Sequence, residues 1–164
     1  MTRQQQLDPA TYRNGMALYA GHVQVVTTEH QGVRRGVTVT AACSVSDNPP
    51  TLLVCLNASN LGNEIFAESG VFTLNSLAAH HEQLATGFAG LAGGSVVDRF
   101  ALGEWETLET GAPVLSDAIV AFDCRVTEIR PASTHFVMFG EVLAMHFGPR
   151  NPALIYLDRG FRTL

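Results

Sequence analysis

The chain has 164 residues and a formal net charge of -5, and all ten of its Lys and Arg residues are arginines. A chain without lysine cannot use a lysine Schiff base or a P-loop, whose lysine holds nucleotide phosphates. The negative charge and a sequence pI near 5.6 exclude nucleic acid and anionic membrane surfaces as expected partners. Hydrophobic residues make up 46% of the chain, which is enough for the core of a single domain, residues 1–164.

The predicted elements, in chain order, are six or seven strands with two or three short helices. They are a helix from Asp8-Pro9 to Gly21, strands at 23–28, 36–46, 51–57 and 71–77, helices within 60–70 and 80–90, and strands at 118–130, 134–147 and 153–157. The strands are bounded by glycine and proline, which interrupt regular structure. Residues 91–111 are predicted to be a long excursion with one helical turn after Ser95, a place where a lid could sit. The regular strand spacing, with no repeat, predicts a mainly β fold: one antiparallel, barrel-like domain.

The cysteines and the chain start predict a cytoplasmic protein without disulfides. Segment 1–8 is polar and lacks the apolar stretch of a signal peptide. Cys43, Cys55 and Cys124 are an odd number at wide spacing, so buried thiols are expected instead of a disulfide framework or a zinc site. The adjacent His80 and His81 should point in different directions, and no metal site is expected.

Two segments could hold a ligand. On a strand, residues 36–46 place hydroxyl and apolar side chains on opposite faces, and the polar face is small enough to admit a flat ring. Residues 57–60 run from a strand into a helix start, where backbone N–H groups could bind a phosphate. An ordinary half-buried strand and a simple capped helix are the structural alternatives, and the residues alone leave both open.

Two polar residues in apolar strands also need partners. Asn75 interrupts an apolar strand, so its amide must be bonded either to neighbouring backbone or to a ligand. His135 stands at the start of a strongly apolar run and could face a cleft, although a lone histidine is often structural. The sequence by itself does not choose between these alternatives.

A series of short motifs runs along nearly the whole chain: Tyr12-Arg13 with Met16, Gly36 to Ala41, Ser44-Val45-Ser46, Pro49-Pro50, Val71 to Leu77, Phe88-Ala89-Gly90, His135 before Gly140-Glu141-Val142, and Tyr156 with Arg159 and Phe161. In their order and spacing these motifs resemble the short-chain flavin reductase family. The resemblance covers nearly the whole chain. It implies an antiparallel split β-barrel that binds FMN, with FAD possible, and forms a homodimer with the flavin near the subunit interface.

The resemblance also implies roles for particular residues. The implied flavin-binding residues are Thr38, Val39, Thr40, Ala41, Ala42, Cys55, Leu56, Asn57, Ser59, Asn60, Asn75, Phe88, Ala89 and Gly90, with His135 facing the nicotinamide as the catalytic candidate. The predicted reaction is hydride transfer from NADH or NADPH to the flavin, which requires only that the two rings are held together. Because the chain lacks lysine, a charged side chain that contacts a phosphate must be a histidine or an arginine, and the arginine candidates are Arg13, Arg34, Arg35 and Arg99. The adjacent Arg34 and Arg35 could suit a 2′-phosphate, but a solvated turn is the favoured interpretation.

Two other functions remain open at this point. The family resemblance leaves the electron acceptor open, and one possibility is a monooxygenase component that takes up the reduced flavin. Residues 41–50 and 133–135 are similar to the corrin reductase of aerobic cobalamin synthesis, which implies instead that the acceptor is cob(II)yrinic acid a,c-diamide. A non-catalytic split-barrel binder of flavin or haem is the alternative from another class.

Overall fold

Twelve β-strands and four α-helices form the described part of the computed structural model, residues 6–91 and 93–164. The helices are α1 (Pro9–Ala17), α2 (Glu64–Ser69), α3 (Glu82–Phe88) and α4 (Val96–Phe100), with 3-10 turns at Leu61–Asn63 and Ala79–His81. The strands are β1 (Gly21–His22), β2 (Gln24–His30), β3 (Val33–Val39), β4 (Ala42–Asp47), β5 (Pro50–Asn57), β6 (Val71–Ser76), β7 (Trp105–Thr107), β8 (Pro113–Leu115), β9 (Val120–Ala132), β10 (His135–Phe147), β11 (Leu154–Leu157) and β12 (Gly160–Thr163).

Seven strands form one antiparallel sheet in the order β3-β2-β6-β9-β10-β5-β4. Its two edge strands, β3 and β4, are consecutive in the chain and are joined only by Thr40 and Ala41. The sheet must therefore curl until its edges approach, and the backbone N–H of Cys55 donates to the Ala41 carbonyl at 2.9 Å. The edges are not paired along their length, so the curled sheet stays open. The predicted mainly β, antiparallel, barrel-like class is confirmed.

Two smaller sheets complete the β structure. One has the order β1-β11-β12 and the other pairs β7 with β8. The sequence prediction missed β1, β7, β8 and β12, because strands of two to four residues are too short to show alternation. The predicted strand 36–46 is also wrong as one element, since it breaks where the sheet turns its corner.

The main sheet separates two hydrophobic cores. Val26, Val54, Phe72 and Met138 belong to the core inside the curl. Val25, next to Val26 in β2, points the other way, into a core shared with α3, α4, β8 and β11. Adjacent strand residues face opposite sides, so the run of valines supplies both layers. Both faces of the sheet are therefore covered where β2 crosses the molecule.

Gly140 shows how tightly the inner core is filled. A Cβ at this position would lie 2.5 Å from Cζ of Phe72 and 2.9 Å from Cβ of Cys124. Only glycine lets β10 pass this close to the Phe72 ring. The β9–β10 register shifts next to this residue, between Phe139 and Gly140.

The first helix is confirmed with its predicted cap. The Asp8 carboxylate accepts from the backbone N–H groups of Ala10 and Thr11 at 3.0 and 2.9 Å. The Thr11 hydroxyl also donates to this carboxylate. That hydrogen bond, followed by the two backbone bonds, lowers the pKa of Asp8 below its usual value. The helix α1 buries none of its residues in this chain, and Tyr12 and Met16 are exposed.

The three cysteines differ in their exposure to solvent. All three thiols are free, but only Cys124 is fully buried: Cys55 is half-buried and Cys43 exposed, so the expectation of buried thiols is wrong for Cys43. Cys43 lies on β4, the edge strand of the main sheet, which pairs with β5 on one side.

In residues 6–91 and 93–164, no helix has the length and hydropathy required to span a membrane.

Candidate functional site

The corner between β3 and β4 is an open surface made of small residues. Thr40 and Ala41 are exposed, and Ala42 is half-buried. A cavity of about 460 Å³ lies between this corner, α1 and β11, and its walls include Arg13, Tyr156 and Arg159. Small side chains leave room for a flat ligand to approach the backbone at the corner.

The outer face of β5 continues this surface. Leu52, Val54 and Leu56 point into the inner core, whereas Cys55 and Asn57 alternate with them and point outward. In the β5–β10 pair, Asn57 lies directly opposite His135. Residues paired in this way share a face of the sheet, so Asn57 and His135 are neighbours.

His135 is exposed and is held by its sequence neighbour. Its Nδ1 lies 2.8 Å from the hydroxyl of Thr134. The Thr134 carbonyl accepts from the backbone N–H of Ala58 at 3.0 Å, which ties the start of β10 to the segment after β5. The ring is therefore positioned next to residues 57–60.

Residues 57–60 form a loop with internal hydrogen bonds. The Asn57 Oδ1 accepts from the backbone N–H and the hydroxyl of Ser59 at 2.9 and 2.8 Å. The Asn60 Oδ1 accepts from the backbone N–H of Gly62 at 3.2 Å and caps the 3-10 turn. Asn63, a residue the sequence reasoning did not select, is buried and donates from Nδ2 to the Asn57 carbonyl at 3.0 Å. No local sequence signal marks Asn63 as buried, since an exposed asparagine at the start of a helix would give the same sequence pattern.

The structure thus brings together one part of the predicted set. These residues are Thr40, Ala41, Ala42, Cys55, Asn57, Ser59, Asn60 and His135. We call this group the corner surface. Ala89 and Gly90 are exposed at the end of α3, and the Thr38 hydroxyl donates to the Ala85 carbonyl of the same helix at 2.7 Å.

Four other predicted residues contribute no side chain to an open surface. Val39 and Leu56 face the inner core. Phe88 packs in the outer core, and a Cβ on Gly36 would lie 2.5 Å from its ring. Asn75 is fully buried, and its amide bonds to the Val25 carbonyl and the Leu115 N–H at 3.0 and 2.8 Å. The sequence left open whether the Asn75 amide bonds to the protein or to a ligand, and in the structure it bonds to neighbouring protein groups.

The Cys55 thiol at the corner is not activated. Burial, followed by the neighbouring Cys43, raises the pKa of Cys55 above its ordinary value. A thiol with a raised pKa remains protonated at neutral pH and is a poor nucleophile. Cys55 is consequently suited to lining a ligand site and not to acting as a nucleophile.

The histidine pair differs from expectation. His80 and His81 do not diverge: their Nε2 atoms lie 2.8 and 3.0 Å from the two carboxylate oxygens of Asp117. The Nδ1 of His81 accepts from the Ala78 N–H at 3.0 Å, so a neutral His81 carries its proton on Nε2. A protonated Nε2 has no lone pair for a cation, and in this cluster of three potential ligands the Asp117 carboxylate bridges the two histidines.

Comparison with known proteins places this geometry in a family. The model for the flavin reductase like domain matches residues 16–164. The chain is 47% identical over 153 residues to the FMN reductase (NADH) RutF of Agrobacterium fabrum, covering 93% of this chain and 87% of the relative. It is 44% identical over 160 residues to the protein of the same name in Variovorax paradoxus, covering 96% and 87%.

Solved structures agree with these relatives. A protein of Haemophilus somnus 129PT assigned as a flavin reductase superposes with a TM-score of 0.92 at 35% identity, covering 96% of this chain and 100% of that one. BorF, the flavin reductase component of a bacterial two-component tryptophan halogenase, superposes with a TM-score of 0.87 at 28% identity, covering 96% and 98%. The split-barrel architecture expected from the sequence is thus shared with solved flavin reductases.

Proposed function

The chain belongs to the flavin reductase like family, and from this premise we propose that it is an NAD(P)H-dependent oxidoreductase that reduces FMN with NADH. The observation that carries the proposal is the 47% identity, across 93% of the chain, to a protein named FMN reductase (NADH). The corner surface supports it, since it offers an open, ligand-sized site lined by small residues. The family match spans 149 of the 164 positions (16 to 164), which supports residues 1–164 acting as one domain.

The residues of the corner surface fit a flavin. Thr40 and Ala41 present a small, exposed surface beside the 460 Å³ cavity, where a flat ring system can lie. Asn57 and Ser59 offer polar groups in a loop whose shape is already fixed by hydrogen bonds. When bound, FMN supplies a ring that accepts a hydride from the reduced nicotinamide and passes the electrons on.

The role of the protein in this reaction is to bind the flavin and the nicotinamide and to orient the two rings. The corner residues hold a planar ligand against the backbone and keep water from the covered face. His135, oriented by Thr134, is the candidate for contacting the nicotinamide, because it is exposed beside Asn57. No side chain needs to form a covalent bond with either substrate.

A direct test is anaerobic mixing of the purified protein with FMN and NADH. The flavin's visible absorbance should bleach, and the His135→Ala variant should bleach more slowly when both proteins are saturated with FMN. Failure of the wild-type protein to bleach flavin with either NADH or NADPH would sink the proposal and favour the non-catalytic binder. Equal rates for both proteins would remove only the role of His135.

The electron acceptor belongs to the same proposal. BorF is one component of a two-component halogenase, which supports a flavin-dependent monooxygenase component as the partner of the present chain. The relatives reported above are named FMN reductases, and none of those named is a corrin reductase, so the corrinoid alternative gains no support from them. A cytoplasmic location fits the three free cysteines, because reducing compartments keep thiols free.

We also propose a homodimer formed through the open side of the curled sheet. An apolar groove of about 380 Å³ lies between β4 and β10, and Met145 lines it. Around it, Val45 and Phe147 are 48% and 74% exposed, which is unusual for side chains of this size. Sedimentation equilibrium should give twice the chain mass of 17.6 kDa, and a concentration-independent monomer would contradict the proposal.

A further inference from the structure

A second groove, outside the corner surface, runs between the β2–β3 hairpin, the 3-10 turn before α2 and the segment from α4 to β7. Its volume is about 780 Å³. Ile65, Phe100 and Trp105 supply apolar walls, and Arg34 and Arg35 enter it from β3. The groove therefore combines flat apolar surface with positive charge in a chain whose net charge is -5.

The aromatic wall is rigid. The rings of Phe100 and Trp105 meet edge to face with centroids 4.9 Å apart, and Phe88 lies 5.0 Å from Phe100 in the same way. The indole N–H of Trp105 donates to the Phe100 carbonyl at 2.8 Å. Phe100 itself is buried, and the Arg34 guanidinium lies over its ring with Cζ 5.6 Å from the centroid, so the part of the wall that a planar ligand can contact is the half-buried Trp105.

Arg35 is fixed at the other side of the groove. Its Nε and Nη2 donate to the Oδ1 of buried Asn63 at 3.3 and 3.0 Å. Asn63 in turn donates to the Asn57 carbonyl, so the guanidinium is tied to the corner surface. A Cβ on Gly62 would lie 3.0 Å from the Arg35 Cζ, and the glycine therefore permits the close approach. Three of the five guanidinium N–H donors remain for a ligand.

Neither Arg35 nor Arg99 has an acidic partner. In the described residues, no carboxylate oxygen lies within 4.0 Å of either guanidinium, whereas Arg34 pairs with Glu29 at 3.0 Å. The Nε of Arg99 is buried and makes no hydrogen bond. Burial, and after it the positive charge of Arg99, lowers the pKa of Arg35. A half-buried guanidinium that is held in place and has no carboxylate beside it is suited to bind an anion.

We propose that this groove binds the phosphate of a nucleotide, with Arg35 as the main ligand, and with Ile65 and Trp105 as the walls for the rest of the molecule. A guanidinium matches two phosphate oxygens at once, which a fixed side chain can do at little entropic cost. The inference rests on the proposed function, which supplies two nucleotides: FMN, with one phosphate, and NADH, with a diphosphate. Asn63 and Gly62 are positioning residues for Arg35.

The test is equilibrium binding, measured by the fluorescence of the ligands, so that it does not depend on turnover. Wild-type protein and the Arg35→Gln variant are titrated with FMN, with riboflavin, which lacks the phosphate, and with NADH. The matched control is Arg125→Gln, since Arg125 is an exposed arginine paired with Glu141 elsewhere on the sheet. Arg125→Gln should bind all three ligands as the wild type does.

If FMN is the ligand, Arg35→Gln weakens FMN binding by about tenfold and leaves riboflavin within about twofold. If NADH is the ligand, its dissociation constant rises by a similar factor and both flavins are unaffected. The Gly62→Ala variant, which keeps the charge but displaces the guanidinium, should shift the same ligand by a smaller factor, and it replaces Arg35→Gln if that variant fails to fold.

The inference is overturned if Arg35→Gln and Gly62→Ala leave all three affinities unchanged, or if riboflavin weakens as much as FMN. These outcomes are separate from failure of the proposed function. A wild-type protein that reduces FMN but shows no effect of Arg35→Gln loses only the phosphate groove. A wild-type protein that binds FMN through Arg35 yet never reduces it loses only the reductase activity.

Discussion

Asn57 and Asn75 are two asparagines of one sheet, on strands β5 and β6, which β9 and β10 separate, and the family resemblance implies a flavin contact for both. Asn75 is fully buried in β6, and its amide is bonded to the Val25 carbonyl, to the Thr27 hydroxyl at 3.1 Å and to the Leu115 N–H. Asn57 ends β5 at an exposed position opposite His135, and its contacts are local to the loop.

The difference teaches how to separate structural from functional polar residues in this fold. A buried amide with all its groups bonded inside the protein stabilises the packing and has nothing left for a ligand. An exposed polar group whose position is fixed by its own loop can still bond to a ligand. The two asparagines should therefore respond oppositely to the same substitution.

The largest effect is expected for Asn75→Leu. The change removes the acceptor of the buried Leu115 N–H and the donor to Val25, and should lower the free energy of unfolding by about 3 kcal/mol. The protein that remains folded should bind FMN with the wild-type affinity. Chemical denaturation and fluorescence titration measure the two quantities.

Asn57→Leu is the matched substitution at the exposed position. It should change the free energy of unfolding by no more than about 1 kcal/mol, as exposed substitutions usually do, while weakening FMN binding. Equal losses of stability in the two variants, or weaker FMN binding in Asn75→Leu alone, would break the comparison.

A smaller effect concerns His81, a buried residue beside the exposed His80. Burial lowers the pKa of His81 below the usual 6.5, although Asp117 opposes the shift. The unfolded chain therefore binds a proton on this histidine near pH 6.5, whereas the folded chain binds it only at lower pH. The free energy of unfolding consequently decreases as the pH falls below about 6.5. Protonation of Nδ1 would also break its bond with the Ala78 N–H.

Chemical denaturation at about pH 8 and about pH 5.5 measures this loss. The His81→Asn variant keeps an acceptor for the Ala78 N–H but does not titrate, so its loss of stability on acidification should be smaller than that of the wild type. His80→Asn, at the exposed position, should retain the loss. A wild-type dependence that survives in His81→Asn would show that another group is responsible.

The long elements of the fold were predictable because their signals are local. The Asp8 cap with proline after it sets the start of α1, and the β-branched run at 23–28 and the apolar run after His135 read as strands without any tertiary information. The break at Thr40 was not predictable, since alternation continues through it. It exists because the sheet has to turn there to bring its two edges together.

The sequence by itself determined the mainly β class, the likeness to flavin reductases and the residue types available for an anion, because strand patterns and the lack of lysine are properties of the chain alone. Only the tertiary structure decided which polar residues are free to act. It enclosed Asn75, left Asn57 and His135 side by side, and separated Arg34, paired with Glu29, from Arg35, held on Asn63. The physical reason is that burial and hydrogen-bond partners come from strands and turns far apart in the chain, which no local pattern specifies.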